Sequence, residues 1–179
     1  MNYNIVRQNT EKNHVLDASG VAINALWIAL VFLATRFLQF PIPLGYAHLG
    51  NAMILLAAVY FGPVTGMLSG GLGSALADLT SFPGWTLPTL IIKLLMGLIC
   101  GIIAGKPHSR KPRAKQLRVL IAVVVTIAEM VFGYFVAGSI LYSSVATGLL
   151  QVPGLAAEGI VGIILFYLLG SIFDKRKGV

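Results

Sequence analysis

From about residue 19 onward, long apolar runs alternate with short polar ones along the 179-residue chain. The pattern predicts six membrane-spanning helices, at about 19–38, 48–61, 63–80, 88–105, 117–140 and 153–173. A helical span needs roughly 20 apolar residues, so the second of these is short. Its boundary rests on a length argument. Leu49 to Leu79 is almost uninterrupted, and as one helix it would be about 46 Å long, against a hydrocarbon core of roughly 30 Å. Gly62-Pro63 supplies the break, because glycine ends helices and proline opens them. Pro88 and Pro153 mark the expected starts of the fourth and sixth helices for the same reason. The expected fold class is therefore an all-α membrane protein of six transmembrane helices.

Composition agrees with that class. The chain is 57% hydrophobic and 11% charged, with a mean hydropathy of +0.86, whereas soluble domains carry about 25% charge. Six spans use up the length, so residues 1–179 read as a single integral membrane domain with no room for a soluble catalytic unit. Residues 1–18 form a polar N-terminal segment, and the apolar run after it is too long for the core of a secretory signal. The lone Cys100 falls inside a span and permits no intrachain disulfide.

The net charge of +7 reports orientation, not nucleic-acid binding, since the basic residues flank apolar runs. Arg7 and Lys12 precede the first span. Lys106, Arg110, Lys111, Arg113, Lys115 and Arg118 lie in or beside the basic loop 106–117, and Lys175, Arg176 and Lys177 follow the last span. Two, six and three make eleven of the thirteen basic residues on one face, which the positive-inside rule makes cytoplasmic, termini included. The opposite loops, about 39–47, 81–87 and 141–152, contain no Lys or Arg.

Orientation gives each intramembrane polar residue a depth. Arg36, His48, Asn51, Asp78, Lys93 and Glu158 fall in the outer half, and Glu129 lies nearer the midplane. A charge inside hydrocarbon costs at least ~2.5–3.5 kcal/mol on insertion scales and normally faces a cavity or a partner. The stretches Ile54 to Ala58, Leu94 to Ile103 and Ile160 to Leu169 are apolar, so the expectation is an outward-facing pocket closed below, not a channel. Tyr46, Phe82 and Trp85 in the outer loops are candidate walls. Structural alternatives stand beside these roles: Arg36 and His48 as snorkelling side chains, Trp85 as part of an interfacial belt, Asp78 and Lys93 as an ion pair between helices.

Gly62, Gly66 and Gly70 recur every fourth residue, a pattern that lets membrane helices approach closely. Ala22, Ala25 and Ala29 share a face of the first span, suited to helix packing within the chain or to docking another membrane subunit. No P-loop occurs, because Gly101-Ile102-Ile103-Ala104-Gly105-Lys106-Pro107 has the wrong spacing and a proline where Ser or Thr is required. Nor is there a zinc or nucleophile–base motif, so neither a cofactor nor an enzymatic role is expected.

Leu49-Gly50-Asn51-Ala52, Phe61-Gly62-Pro63, Gly66, Gly70, Gly73-Ser74-Ala75-Leu76-Ala77-Asp78-Leu79, Thr89-Leu90-Ile91-Ile92-Lys93 and Met96-Gly97 together resemble the substrate-binding S components of energy-coupling factor (ECF) vitamin transporters. The similarity is to the riboflavin-transporter-like branch. It implies a vitamin-binding subunit of an ABC-type importer in the bacterial plasma membrane. The subunit would dock through the Ala25-x-x-x-Ala29 region onto a transmembrane coupling subunit carrying two ATPase subunits. The mixture of Asp78, Glu129 and Glu158 with Lys93 suits hydroxymethylpyrimidine or pyridoxine. Pantothenate, riboflavin and a non-transporting membrane scaffold are the alternatives.

Overall fold

In a computed structural model, residues 17–42, 45–105 and 112–176 are described. The fold is mostly helical. Helix α1 spans Ala18–Phe37, and its start is set by Asp17, whose Oδ1 accepts the Gly20 N–H at 2.7 Å. A two-stranded antiparallel hairpin follows, β1 Gln39–Ile42 and β2 Gly45–His48, pairing Gln39 with His48 and Ile42 with Gly45. Next come α2 Gly50–Phe61, α3 Pro63–Leu68, a π-helical segment Ser69–Gly73 and α4 Ser74–Ser81. A short 3₁₀ turn at Pro83–Trp85 leads into α5 Thr86–Ala104. Helix α6 Pro112–Leu141 and helix α7 Val145–Arg176 complete the bundle.

Among the described residues four helices are long and apolar enough to cross a membrane: Ala18–Phe37, Pro83–Ala104, Gln116–Leu141 and Val145–Ile172. Helix α2 is apolar but only 12 residues long. It is the bundle's inner post, with Ile54, Leu55, Leu56, Ala57 and Ala58 all buried. The break after it falls where the sequence places it: Gly62 takes φ 101°, a conformation that favours glycine, and Pro63 opens α3. Large apolar side chains cover the outside, among them Leu26, Leu33, Ile91, Phe132, Leu149 and Ile164. Such a surface suits lipid, which needs no polar coat.

Three expectations are corrected. The segment 39–47 is not a plain loop but contributes to the hairpin, and His48 ends its second strand instead of opening the second helix. The stretch 141–152 is mostly helix: a turn at Tyr142–Ser144, with Ser143 at φ 50°, leads straight into α7 at Val145. Pro153 therefore sits inside α7, where a membrane helix tolerates proline because neighbouring groups re-satisfy the freed carbonyl. The N-terminal residues 1–16, and residues 106–111 of the basic loop, lie outside the described residues.

Helices α3 to α5 meet at backbone distance. A Cβ at Gly97 would overlap the Gly66 carbonyl, and one at Gly101 would overlap the Pro63 backbone. In the π segment a Cβ at Gly70 would stand 2.5 Å from the Lys93 carbonyl oxygen. Close packing here fixes the height of Lys93 in the bundle. On the other side of α3, Thr65 Oγ1 donates to Asn24 Oδ1 of α1 at 2.8 Å, with both residues buried.

Candidate functional site

Lys93 is a fully buried lysine, 0% exposed, one turn past Thr89 on α5. Its Nζ donates to Asn51 Oδ1 at 2.5 Å and to Met130 Sδ at 3.0 Å, and lies 3.9 Å from Glu158 Oε1. Asn51 Nδ2 donates to the same Glu158 oxygen at 2.7 Å and to Met130 Sδ at 3.3 Å. The Asn51 amide thus spans cation and anion, and its two ends are told apart by the charges they face. Gly162 of α7 makes this possible, since a Cβ there would stand 2.9 Å from Asn51 Cβ.

His48 completes the group from the hairpin. Its Nδ1 accepts the Gly50 N–H at 3.1 Å, so in the neutral ring the proton is on Nε2, which lies 3.3 Å from Glu158 Oε1. Three elements, β2, α2 and α5, therefore converge on one carboxylate carried by α7. The carboxylates of Asp78 and Glu129 also act electrostatically on the Lys93 ammonium. The site holds one lysine among three acidic side chains. Glu129 is partly exposed and its Oε2 has no hydrogen-bond partner among the described residues, while Asp78 is buried at 4% exposure on α4.

Above Lys93 along α6 is an aromatic wall. Tyr134 lies with its ring centroid 5.3 Å from Nζ, and its hydroxyl donates to Thr89 Oγ1 at 2.9 Å. Half-buried Trp85 packs on Tyr134 and on Tyr142, at centroid separations of 5.7 and 6.2 Å. The structure thus brings Asn51, Lys93, Glu158 and His48 into contact, sets Asp78 and Glu129 within electrostatic reach, and places Trp85 on the wall. For Tyr46 only the backbone, opposite Pro41, is among the described parts. Ala22, Ala25 and Ala29 are exposed on α1, away from this site.

Sequence reasoning missed three buried residues on these helix faces, Met130, Tyr134 and Gln151. Met130, Tyr134 and Gly138 recur every fourth residue and so share the inner face of α6. Gln151 precedes Glu158 by seven residues, two turns on the same face of α7. Those spacings were the available signal.

Fold and site together define a multi-span helical membrane protein that buries a charged, hydrogen-bonded cluster between its helices. The profile of the family described as "ECF-type riboflavin transporter, S component" matches residues 16–175, and the chain belongs to this family. It is 36% identical over 150 residues to an uncharacterised protein of Pyrococcus woesei, covering 83% of this chain and 97% of that one. It is 30% identical over 161 residues to the thiamine precursor transporter HmpT of Lactococcus lactis, covering 84% and 85%. A solved structure described as the S component of a bacterial ECF transporter superposes with a TM-score of 0.65 at 22% identity, over 89% of this chain and 97% of that one. That last likeness is one of fold.

Proposed function

We propose that this S component binds hydroxymethylpyrimidine or pyridoxine from outside the cell and delivers it through an ECF-type importer in the plasma membrane. In this reading the chain is one membrane domain of six spans, α3 to α4 forming the third, with both termini cytoplasmic. The ligand enters a pocket open to the outside. Asn51, Lys93, Glu158 and His48 form its floor, Asp78 and Glu129 adjust its charge, and Trp85 and Tyr46 wall it. Ala22, Ala25 and Ala29 dock onto the transmembrane coupling subunit, whose two ATPase subunits hydrolyse ATP.

The observation that carries the ligand class is that buried Lys93 faces one of the chain's own carboxylates, Glu158 Oε1 at 3.9 Å, with Asp78 and Glu129 on the helices packed against α5. Lys93 is already held by Asn51 and Glu158, and neighbouring negative charge opposes a second carboxylate. That disfavours pantothenate and favours a nitrogen heterocycle whose amino or hydroxyl groups donate to Glu158 or Glu129. The name of the HmpT relative, a thiamine precursor transporter, points the same way. Riboflavin, despite the family's name, would ask more ring-stacking surface than Trp85, Tyr134 and Tyr142 offer.

The test is thermal stabilisation of the purified chain against a panel of B vitamins and precursors. Stabilisation by hydroxymethylpyrimidine or pyridoxine is expected, and pantothenate should give none. No response to any member of the panel would sink the reading. A scaffold role draws support from the way the buried charges satisfy one another. Co-purification with an ATPase module, expected for the importer subunit, separates the two.

A further inference from the structure

Gln151 is the one long polar side chain at this end of α7 that the network above leaves out. It is 5% exposed, and its Nε2 has no hydrogen-bond partner among the described residues. Burying an amide donor without a partner forfeits its hydration with nothing in return, so native structures keep few such groups, and each calls for a reason. Its place in the bundle supplies one. Gln151 is on the Glu158 face of α7, about 10.5 Å further out at 1.5 Å per residue. Its amide lies over Gly138 of α6, where a Cβ would stand 2.6 Å from Nε2 and 3.0 Å from Oε1.

Gly138 is one turn from Tyr134 and one from Tyr142, the two rings that pack on Trp85. The amide is therefore level with the aromatic wall. The cluster of Lys93, Asn51 and Glu158 lies two turns below it. A missing side chain on α6 makes the room, and a donor with no protein acceptor occupies it.

We propose that Gln151 is a specificity-determining residue of the binding site. Its Nε2 donates to an acceptor atom, a ring nitrogen or hydroxyl oxygen, on a flat single-ring heterocycle held against Trp85, Tyr134 and Tyr142, while the Glu158 end reads the donors on the opposite edge. The inference rests on the solute-binding reading above and extends it: the ligand must carry donors on one edge and an acceptor on the other.

The test uses the full chain in detergent, with hydroxymethylpyrimidine and pyridoxine as probes and calorimetry as the readout. Gln151→Leu keeps the volume and removes the donor. It should weaken the bound probe by roughly tenfold, the worth of one hydrogen bond, without lowering the melting temperature of the ligand-free protein. Gln151→Met is the second variant, with the same expectation. Gly138→Ala, which displaces the amide, should weaken binding in the same direction. A purely structural glutamine would behave oppositely, with melting lowered and affinity kept. Wild-type binding with unchanged affinity in both Gln151 variants overturns this inference and leaves the transport reading standing. Wild-type protein that binds no vitamin overturns both.

Discussion

Two helix interfaces in this bundle solve the same packing problem in opposite ways. Between α3 and α5 there are almost no side chains: Gly66 faces Gly97, and Pro63 faces Gly101, backbone against backbone. Where α6 packs on α5 and α7 closes on α6 and α2, side chains fill the space, with Met130, Tyr134, Gln151 and Glu158 projecting between the helices. Lipid provides no hydrophobic drive for helices to associate, so membrane interfaces rely on close backbone contact or on polar groups. The first interface has no volume for a guest. The second holds polar atoms that a guest can engage, so in the proposed reading the stiff half positions Lys93 and the side-chain-filled half recognises.

The comparison breaks most visibly at Gly97. Replacement by alanine puts a methyl group into the Gly66 carbonyl, and neither backbone can rotate away. Overpacking usually costs about 1–3 kcal/mol, occasionally more, and Gly97→Ala should exceed that range or prevent folding. Alanine is the best helix former, so propensity cannot be the cause. Gly133→Ala is the matched control on α6. The atoms nearest its new methyl would be side-chain atoms of Ile92, at 3.0–3.3 Å, and its stability should stay within about 1 kcal/mol of wild type. Equal losses in the two variants, measured by thermal unfolding in detergent, would erase the distinction between the interfaces.

Next in size is the buried charge. Lys93→Met removes the cation but leaves Glu158 with Asn51 and His48, and breaking a buried pair from one side costs about 3–5 kcal/mol. Adding Glu158→Gln removes the stranded charge, so the double variant should recover most of the loss while still failing to bind ligand. A double variant no more stable than Lys93→Met alone would mean that Glu158 is not the partner that matters.

How much of this was legible depends on how sharply a residue departs from its surroundings. Asn51, Lys93 and Glu158 stand out because each is polar in an apolar run, and the structure brings all three into contact. Gly62-Pro63 was equally clear, since length demanded a break there. Met130 was not, because a thioether reads as apolar until an ammonium is found 3.0 Å away. Gln151 was hidden by Pro153, which argued for a helix start two residues after it and so assigned it to a loop. The hairpin was obscured by Pro41 and Pro43, since proline within a short run argues against a strand. The Asn24–Thr65 bond joins short side chains 41 residues apart, and no local pattern announces such a pair.

The smallest effect on stability is expected at the outer face of α1, and its smallness is what makes it informative. Ala22, Ala25 and Ala29 are all exposed, so the α1 packing within the chain, through Trp27, Val31 and Ala34, does not use them. Leucine at Ala25 and Ala29 would meet lipid in the isolated subunit, and the melting temperature should move by no more than about 0.5 kcal/mol would produce. The same change would add bulk where, in the proposed docking, a partner helix approaches closely. Ala25→Leu with Ala29→Leu should therefore leave vitamin affinity intact while co-purification with the coupling subunit and ATPases is lost. Retained co-purification would move the docking surface elsewhere on the bundle. A fall in vitamin affinity would mean that α1 is coupled to the site, and the division between a stiff scaffold half and a recognising half would have to be redrawn.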